Sequence, residues 1–346
     1  MKPLKNLLSL ILVCNSLTAC VTTFDTRTTQ IEIMKPGIFN FPENIKTVAL
    51  INSVPYSQLN QPFQYIRHFV YSTDIFTYQE SYGPQIDTTI QYRALSNTCM
   101  DALAWTLKKD GYFSNVINYH DSLSYVSQSN KDLFNPDRLF QKTKSDLCII
   151  LDQFSFNVEK LKDNGIVTNC ASLSWTIAYQ NDTSAYTYKQ IDTLTFTAKD
   201  FPSELSDNMK IKMIANNSST FFGQSLCSKI IPAWMPVDRM YYTSHNRDMH
   251  QAEKYVISNE WPKAAVIWSK QTESKNQMIV AKATYNMALA CEMEGKPDEA
   301  INWLLRSYSI LKKSNKDHKE SCQQYINILT LRKKEIEKLN LQVRNK

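Results

Sequence analysis

Residues 281–308 read AKATYNMALACEMEGKPDEAINWLLRSY, and this stretch decides the fold of the last third of the chain. Ala288 and Ala300 are small, Gly295 lies between them, and the larger Leu304 follows. Two helices approach closely only where their side chains are small, and the turn that joins them needs a residue free to adopt a positive φ. The stretch therefore predicts a hairpin of two packed helices.

The same pattern continues on both sides of residues 281–308. The corresponding upstream positions are held by Ala252, Tyr255, Ala264 and Trp268. Downstream, Cys322 and Tyr325 follow Ala288 and Cys291 after 34 residues of sequence. This register resembles the tetratricopeptide repeat, a helical hairpin with a period of about 34 residues. The resemblance implies an all-α tetratricopeptide-like helical repeat domain over residues 244–346 that ends in a capping helix; a plain helical-hairpin domain is the alternative.

The start of the chain carries an export signal. Lys2 and Lys5 precede a short apolar run, residues 7–13, which is too short to span a bilayer. Leu17-Thr-Ala-Cys20 then resembles a lipobox, at which lipoprotein precursors are lipidated on the cysteine and cut before it. The resemblance implies a signal peptide over residues 1–19 and a lipid-anchored tether over residues 20–29. An ordinary signal peptide cut nearby is the alternative.

Residues 30–243 show the mixed pattern of an α+β domain. Two short apolar runs, residues 47–52 and 147–151, fit strands buried on both faces. Alternating residues on both sides of a polar Gln180-Asn-Asp predict a hairpin, and residues 93–110 predict a helix that stops at Gly111. A second long helix follows Pro202, with an interruption possible at residues 216–219. We expect an α+β N-terminal domain with a mixed sheet of about five strands, two helices on one face, and residues 237–242 closing the sheet.

The distribution of charge argues against a nucleic-acid partner. The formal charge of +6 falls to +4 without Lys2 and Lys5, and residues 311–346 hold ten Lys or Arg against four Asp or Glu. A nucleic-acid partner needs a basic face on a folded domain, whereas this charge fits the solvated face of a last helix. No nucleic-acid partner is therefore expected.

No catalytic motif is recognisable in the sequence. GxSxG, HExxH and a glycine-rich phosphate loop are absent, and the chain has only six glycines. His245, Asp248 and His250 have the spacing of surface residues rather than of metal ligands, and Asp152 lacks a partner. We expect no enzyme activity, no metal and no cofactor.

Six cysteines follow Cys20, and none of them forms a CxxC motif. Disulfides are permitted in an exported chain, but isolated cysteines are more often small core residues. Whether any of them pair is left open by the sequence. Cys291 and Cys322 are the first pair to test, because they fall on neighbouring predicted helices.

In this order, the lipobox, the α+β domain with its Pro232-Ala-Trp-Met-Pro-Val-Asp-Arg-Met-Tyr-Tyr242 segment and the repeats resemble a family of Bacteroidetes-type lipoproteins of unknown function. The resemblance implies an outer-membrane location. Residue 21 is Val and no acidic cluster follows Cys20, so the periplasmic face is favoured.

The repeats predict a scaffold that binds another envelope protein through a concave groove. By resemblance, the groove-facing residues are Lys282, Tyr285, Asn286, Leu289 and Met293, joined from the next helix by Lys316 and Lys319. Three lysines around an aromatic side chain suit a partner segment with a carboxylate and an apolar anchor. Alternatively, this groove is filled by the protein's own first domain or by the cap.

A glycan is the alternative ligand. Residues 55–92 hold nine aromatic side chains without a steady period, Tyr65 and Tyr71 among them, and exposed aromatic rings stack on sugars. Such residues are more often packed in a core, so the scaffold is the favoured interpretation.

Overall fold

The computed structural model describes residues 25–54, 65–68, 81–82, 92–119, 136–161, 167–180, 185–311 and 315–343. These residues form two compact units. Residues 34–234 and 338–343 form the first, here called the sheet unit, and residues 25–33 and 235–337 form the second, called the helical unit. The boundary predicted from the sequence between the α+β domain and the repeats lies between residues 243 and 244.

The described elements follow one another in this order: β1 Thr26–Lys35, β2 Thr47–Asn52, β3 Tyr65–His68, β4 Ser81–Tyr82, α1 Tyr92–Asp110, β5 Asn115–Tyr119, α2 Pro136–Thr143, β6 Leu147–Leu161, β7 Val167–Tyr179, β8 Tyr186–Phe196, α3 Asp207–Ile230, β9 Ala233–Tyr242, α4 Arg247–Ile257, α5 Trp261–Gln271, α6 Gln277–Met293, α7 Pro297–Ile310 and α8 Lys316–Gln342.

The sheet unit contains a mixed sheet. Five strands follow the order β4-β3-β6-β2-β5, and β7 and β8 extend the sheet from β6. β2 is parallel to β5 and β6, whereas β6, β7 and β8 form an antiparallel meander. The predicted mixed sheet and the β7–β8 hairpin are therefore confirmed.

Both faces of β2 are buried, as its unbroken apolar run predicts. Val48 and Leu50 join the core formed with α1 and α3. Ala49 and Ile51 lie in a smaller cluster on the opposite face, where α2 contributes Leu139 and Phe140.

Helices α1 and α3 pack closely on each other and on one face of the sheet. A Cβ atom at Gly223 of α3 would lie 2.1 Å from the carbonyl oxygen of Cys99 on α1. The missing side chain therefore sets the distance between the two backbones. The possible interruption at residues 216–219 is absent, since α3 continues through them with Ser218 and Ser219 fully buried.

The last turn of α8 is fixed within the sheet unit by Gln342. The side-chain oxygen of Gln342 accepts a hydrogen bond from the Gly37 amide at 2.9 Å. Its side-chain nitrogen donates to the carbonyl oxygens of Gly37 and Phe39 at 2.8 and 2.9 Å. These bonds give a buried amide side chain, 2% exposed, all the partners it needs.

In the helical unit, β1 and β9 form a separate two-stranded sheet, and helices α4 to α7 pack as two hairpins. The prediction that residues 237–242 close the main sheet is thus wrong. The physical reason is that β9 buries Arg239, Tyr241 and Tyr242 within the helical unit, where ionic and hydrogen-bonding partners are available.

Candidate binding groove

The helical hairpins pack on small residues at the predicted positions. Two turns adopt positive φ, Asn259 at 59° between α4 and α5 and Gly295 at 72° between α6 and α7. Asn246 and Asn276 cap the first helix of each hairpin by accepting hydrogen bonds from two backbone amides. Four alanines at the helix contacts are fully buried: Ala252, Ala264, Ala288 and Ala300.

Asn286, predicted to face a partner, binds the backbone of β9 instead. Its side-chain oxygen accepts a hydrogen bond from the Tyr242 amide at 2.8 Å, and its side-chain nitrogen donates to the Tyr242 carbonyl at 2.7 Å. Asn286 is fully buried. This pair of bonds is the one that a groove-lining amide would make to an extended peptide, and here the peptide is the protein's own strand.

Lys282 likewise binds a backbone group of the same chain. Its ammonium group donates a hydrogen bond to the carbonyl oxygen of Thr243 at 3.1 Å, directly after β9. The side chain is 4% exposed, and burial lowers the pKa of Lys282, against the opposing charge of Asp25. This lysine is therefore not presented to an external carboxylate.

The aromatic and apolar residues of the predicted groove lie in the core of the helical unit. Tyr285 packs edge-to-face on Tyr242, with ring centroids 4.9 Å apart, and also contacts Tyr325 at 5.6 Å. Leu289 is fully buried, and Met293 packs against the same core. These side chains contribute to stability through burial.

The remaining two lysines lie outside this core. Lys316 is exposed at the start of α8. Lys319 donates a hydrogen bond to the carbonyl oxygen of Tyr308 at 2.6 Å, and its ammonium group lies 4.0 Å from the centre of the Tyr308 ring. Lys282, Lys316 and Lys319 therefore do not form a cluster around an open groove.

The prediction of an open groove is consequently corrected. Tyr285 and Asn286 contact β9, Lys282 contacts the residue after it, and Leu289 is buried in the same core. The alternative in which the chain itself fills the groove therefore describes the structure. The tertiary structure brings these residues together, but the groups that they bind belong to the same chain.

A buried ion pair that the sequence analysis missed joins β9 to α6. Arg239 donates two hydrogen bonds to the carboxylate of Glu292, at 2.7 and 2.8 Å, and Tyr325 donates a third at 2.5 Å. Burial alone lowers the pKa of Arg239, but the hydrogen bond and charge of Glu292 raise it overall, so the guanidinium is charged. The sequence feature that could have revealed this ion pair is Glu292, an acidic residue on an otherwise apolar face of α6.

His318 was also missed. Its Nδ1 lies 3.1 Å from the Tyr242 hydroxyl and its Nε2 lies 3.1 Å from the Ser307 hydroxyl. Because Ser307 donates its own proton to the Ala281 carbonyl, Nε2 must carry the proton that it shares with Ser307. Burial lowers the pKa of His318, so the ring is neutral at pH 7.

Three other polar residues considered from the sequence each form an ion pair or a hydrogen bond with a nearby side chain. His250 pairs with Glu253 at 3.3 Å, and Asp248 accepts a hydrogen bond from Gln271. Asp152 accepts one from Thr176 at 2.6 Å, and burial raises the pKa of Asp152. Within the described ranges, no three or more His, Cys, Asp or Glu side chains are grouped to hold a metal ion.

The six cysteines after Cys20 are free thiols, and five of them are buried. The pair chosen for testing, Cys291 and Cys322, is not bonded. Burial raises the pKa of Cys322 to about 11, so this thiol is protonated at neutral pH.

Two predictions fall on residues that are not described. Lipidation at Cys20 lies outside the described residues, as does most of the aromatic segment 55–92, including Tyr71. Tyr65 begins strand β3. Of the helices that are described, none has both the length and the apolar character that crossing a membrane requires.

Comparison with known proteins gives family matches for most of the chain. The profile described as Domain of unknown function (DUF8603) matches residues 45–242, and the one described as Domain of unknown function (DUF6340) matches residues 250–331. No curated protein matches the sequence.

Among solved structures, a minor lipoprotein from Acinetobacter baumannii is similar at 9% identity with a TM-score of 0.28, over 55% of this chain and 92% of that one. A lipoprotein from Neisseria meningitidis is similar at 12% identity with a TM-score of 0.24, over 50% of this chain and 98% of that one.

Proposed function

The chain belongs to the family described as Domain of unknown function (DUF8603), and from this premise we propose that it is a lipid-anchored envelope protein that acts as a binding scaffold. It carries out no catalysis in this proposal. It is held at the periplasmic face of the outer membrane, and its helical unit, with tetratricopeptide-like hairpins, binds another envelope protein.

The lipid anchor is supported by Leu17-Thr-Ala-Cys20 and the charged and apolar residues before it. Two or more acyl chains on Cys20 give stable anchoring, whereas one chain gives reversible binding. A Cys20→Ala protein should be released from membranes or remain unprocessed. Cys14→Ala, which leaves the lipobox intact, is the matched control and should fractionate with the outer membrane. Full membrane retention of a processed Cys20→Ala protein would exclude the anchor.

The scaffold is supported by the outer surface of α7 and α8. The observation that carries it is that each of these two helices leaves large apolar side chains exposed while another face of the helix is packed. Ala300 and Leu304 of α7 are fully buried, and so are Cys322 and Leu329 of α8. The exposed residues are Leu305 at 52%, Tyr308 at 40%, Ile328 at 41% and Leu331 at 61%.

Helices α7 and α8 lie side by side in the helical unit. Lys319 near the start of α8 bonds to Tyr308 near the end of α7, and Lys333 bonds to Asp298 near the start of α7 at 2.6 Å. The two helices are therefore antiparallel neighbours. Apolar side chains exposed on neighbouring helices are a common feature of protein-binding surfaces, with polar residues around them. In the proposal, this surface replaces the groove that β9 fills.

The test is recovery of cross-linked partners from membranes. Leu305→Glu and Leu331→Glu place a charge on the surface and should abolish recovery of the partners that the wild-type protein captures. Asn302→Glu and Thr330→Glu add the same charge at exposed polar positions on the same helices and should leave recovery unchanged. Recovery of the same partners by all four variants would reject this surface as the binding site.

A further inference from the structure

Among the described strands, β8 forms an edge of the main sheet. It pairs with β7 in one unbroken register, from Tyr186 opposite Ile177 to Phe196 opposite Val167. No other strand within the described ranges pairs with β8. A long regular edge of this kind is a template for a further strand.

Two usual means of blocking an edge, a proline and a β-bulge, are missing from β8. Its eleven residues, YTYKQIDTLTF, contain no proline, and the register with β7 has no bulge. Lys189 is the only lysine in the strand. Ile191 lies at the centre of the strand and is 73% exposed, the most exposed apolar side chain in the described part of the sheet.

The strand is also held in a fixed position. Gln190, on the helix-facing side, accepts a hydrogen bond from the Trp175 indole at 3.1 Å. It donates to Asp192 at 2.8 Å and to the Phe222 carbonyl of α3 at 3.2 Å. An edge that is already ordered loses little conformational entropy when another strand binds to it.

We propose that β8 pairs with β8 of a second copy of this chain, antiparallel and centred on Ile191, so that two sheets join into one. The opposing residue numbers then add up to 382, which keeps every residue on the same face as its partner. All eleven residues of the strand are paired in this register, and Ile191 meets its own copy at the two-fold axis.

The pairs that this register creates are those that stabilise antiparallel sheets. Tyr186 meets Phe196, Tyr188 meets Leu194, and Thr187 meets Thr195 of the second copy. Aromatic, aromatic–aliphatic and threonine pairs are favourable across strands, whereas like charges are unfavourable. Lys189 meets Thr193 and Gln190 meets Asp192, so no like charges face each other.

Disulfide trapping in the full-length, membrane-bound protein tests the register. Cys170, which is exposed beside Thr193, is first replaced by serine to remove the accessible thiol, and the Cys170→Ser protein serves as the background. Ile191→Cys then places two thiols opposite each other, with Cα atoms about 4.5–5.5 Å apart, which is within disulfide range. Oxidation with copper phenanthroline should convert most of this variant into a covalent dimer.

Lys189→Cys is the matched control, because it is exposed on the same face of the same strand. In the proposed register its two copies lie four residues apart along the strand, roughly 13 Å, which is too far for a disulfide. Dimer formation at Ile191→Cys and not at Lys189→Cys supports the pairing. No dimer at Ile191→Cys, or equal dimer formation at both positions, overturns it.

Discussion

Replacing Asn286 with alanine should release β9 from the helices. The substitution removes the two hydrogen bonds that Asn286 makes to the backbone amide and carbonyl of Tyr242, a residue that is 2% exposed. Each unsatisfied buried group costs about 1–3 kcal/mol, so the combined loss is about 2–6 kcal/mol. Even a loss of about 3 kcal/mol would raise the population of the opened strand roughly 100-fold.

Hydrogen exchange read by mass spectrometry measures this opening directly, because amide protection reports local unfolding. Peptides that cover residues 236–243 should exchange much faster in Asn286→Ala than in the wild type. Asn302→Ala, at an exposed position on α7, is the matched control and should leave these peptides protected. Equal protection in both variants would refute the assignment of Asn286 as the residue that holds β9.

Three other substitutions test the two cores. Gly223→Ala should destabilise the sheet unit by about 1–3 kcal/mol or more in urea unfolding, because the added methyl group meets the Cys99 carbonyl. Glu292→Gln should cost the helical unit about 3–5 kcal/mol, since it leaves Arg239 buried without a counter-charge. Stability should fall as pH drops below about 6.5, because the folded state disfavours protonation of His318 while the unfolded state accepts it. His318→Gln should flatten this dependence.

Exposed neighbours provide the controls for these substitutions. Gln224→Ala introduces the same residue at the exposed neighbour of Gly223, Glu294→Gln removes a carboxylate at an exposed position near Glu292, and His245→Gln removes an exposed histidine. Each control should leave the free energy of unfolding within about 0.5 kcal/mol of the wild-type value. If a control variant lost as much stability as the variant at the buried site, the proposed packing at that site would be wrong.

The sequence predicted the elements whose signals are local. The spacing of Leu95, Cys99, Leu103 and Leu107, with Gly111 after it, defined α1, and Gly111 adopts φ 71°. The apolar run of β2 and the alternation of β7 likewise lie within single elements. In the same way, the alanine spacing located both helical hairpins, because close approach restricts side-chain size wherever the partner helix comes from.

The candidate site could not be predicted in the same way. Lys282, Tyr285 and Asn286 were correctly placed on one helix, yet their partners come from β9, about 40 residues earlier in the chain. Periodicity shows which face of a helix is covered, but it does not show which segment covers it.

By itself, the sequence determined the helical hairpins and strands β2, β6, β7 and β8, since each depends on residues close together in the chain, whereas the export signal stays a prediction. Only the tertiary structure decided that β9 leaves the main sheet, pairs with β1 and fills the groove. The physical reason is that Glu292 supplies the counter-charge for the buried Arg239, and Asn286 hydrogen-bonds the backbone of Tyr242 there. These are long-range pairings, and no local pattern in the sequence encodes them.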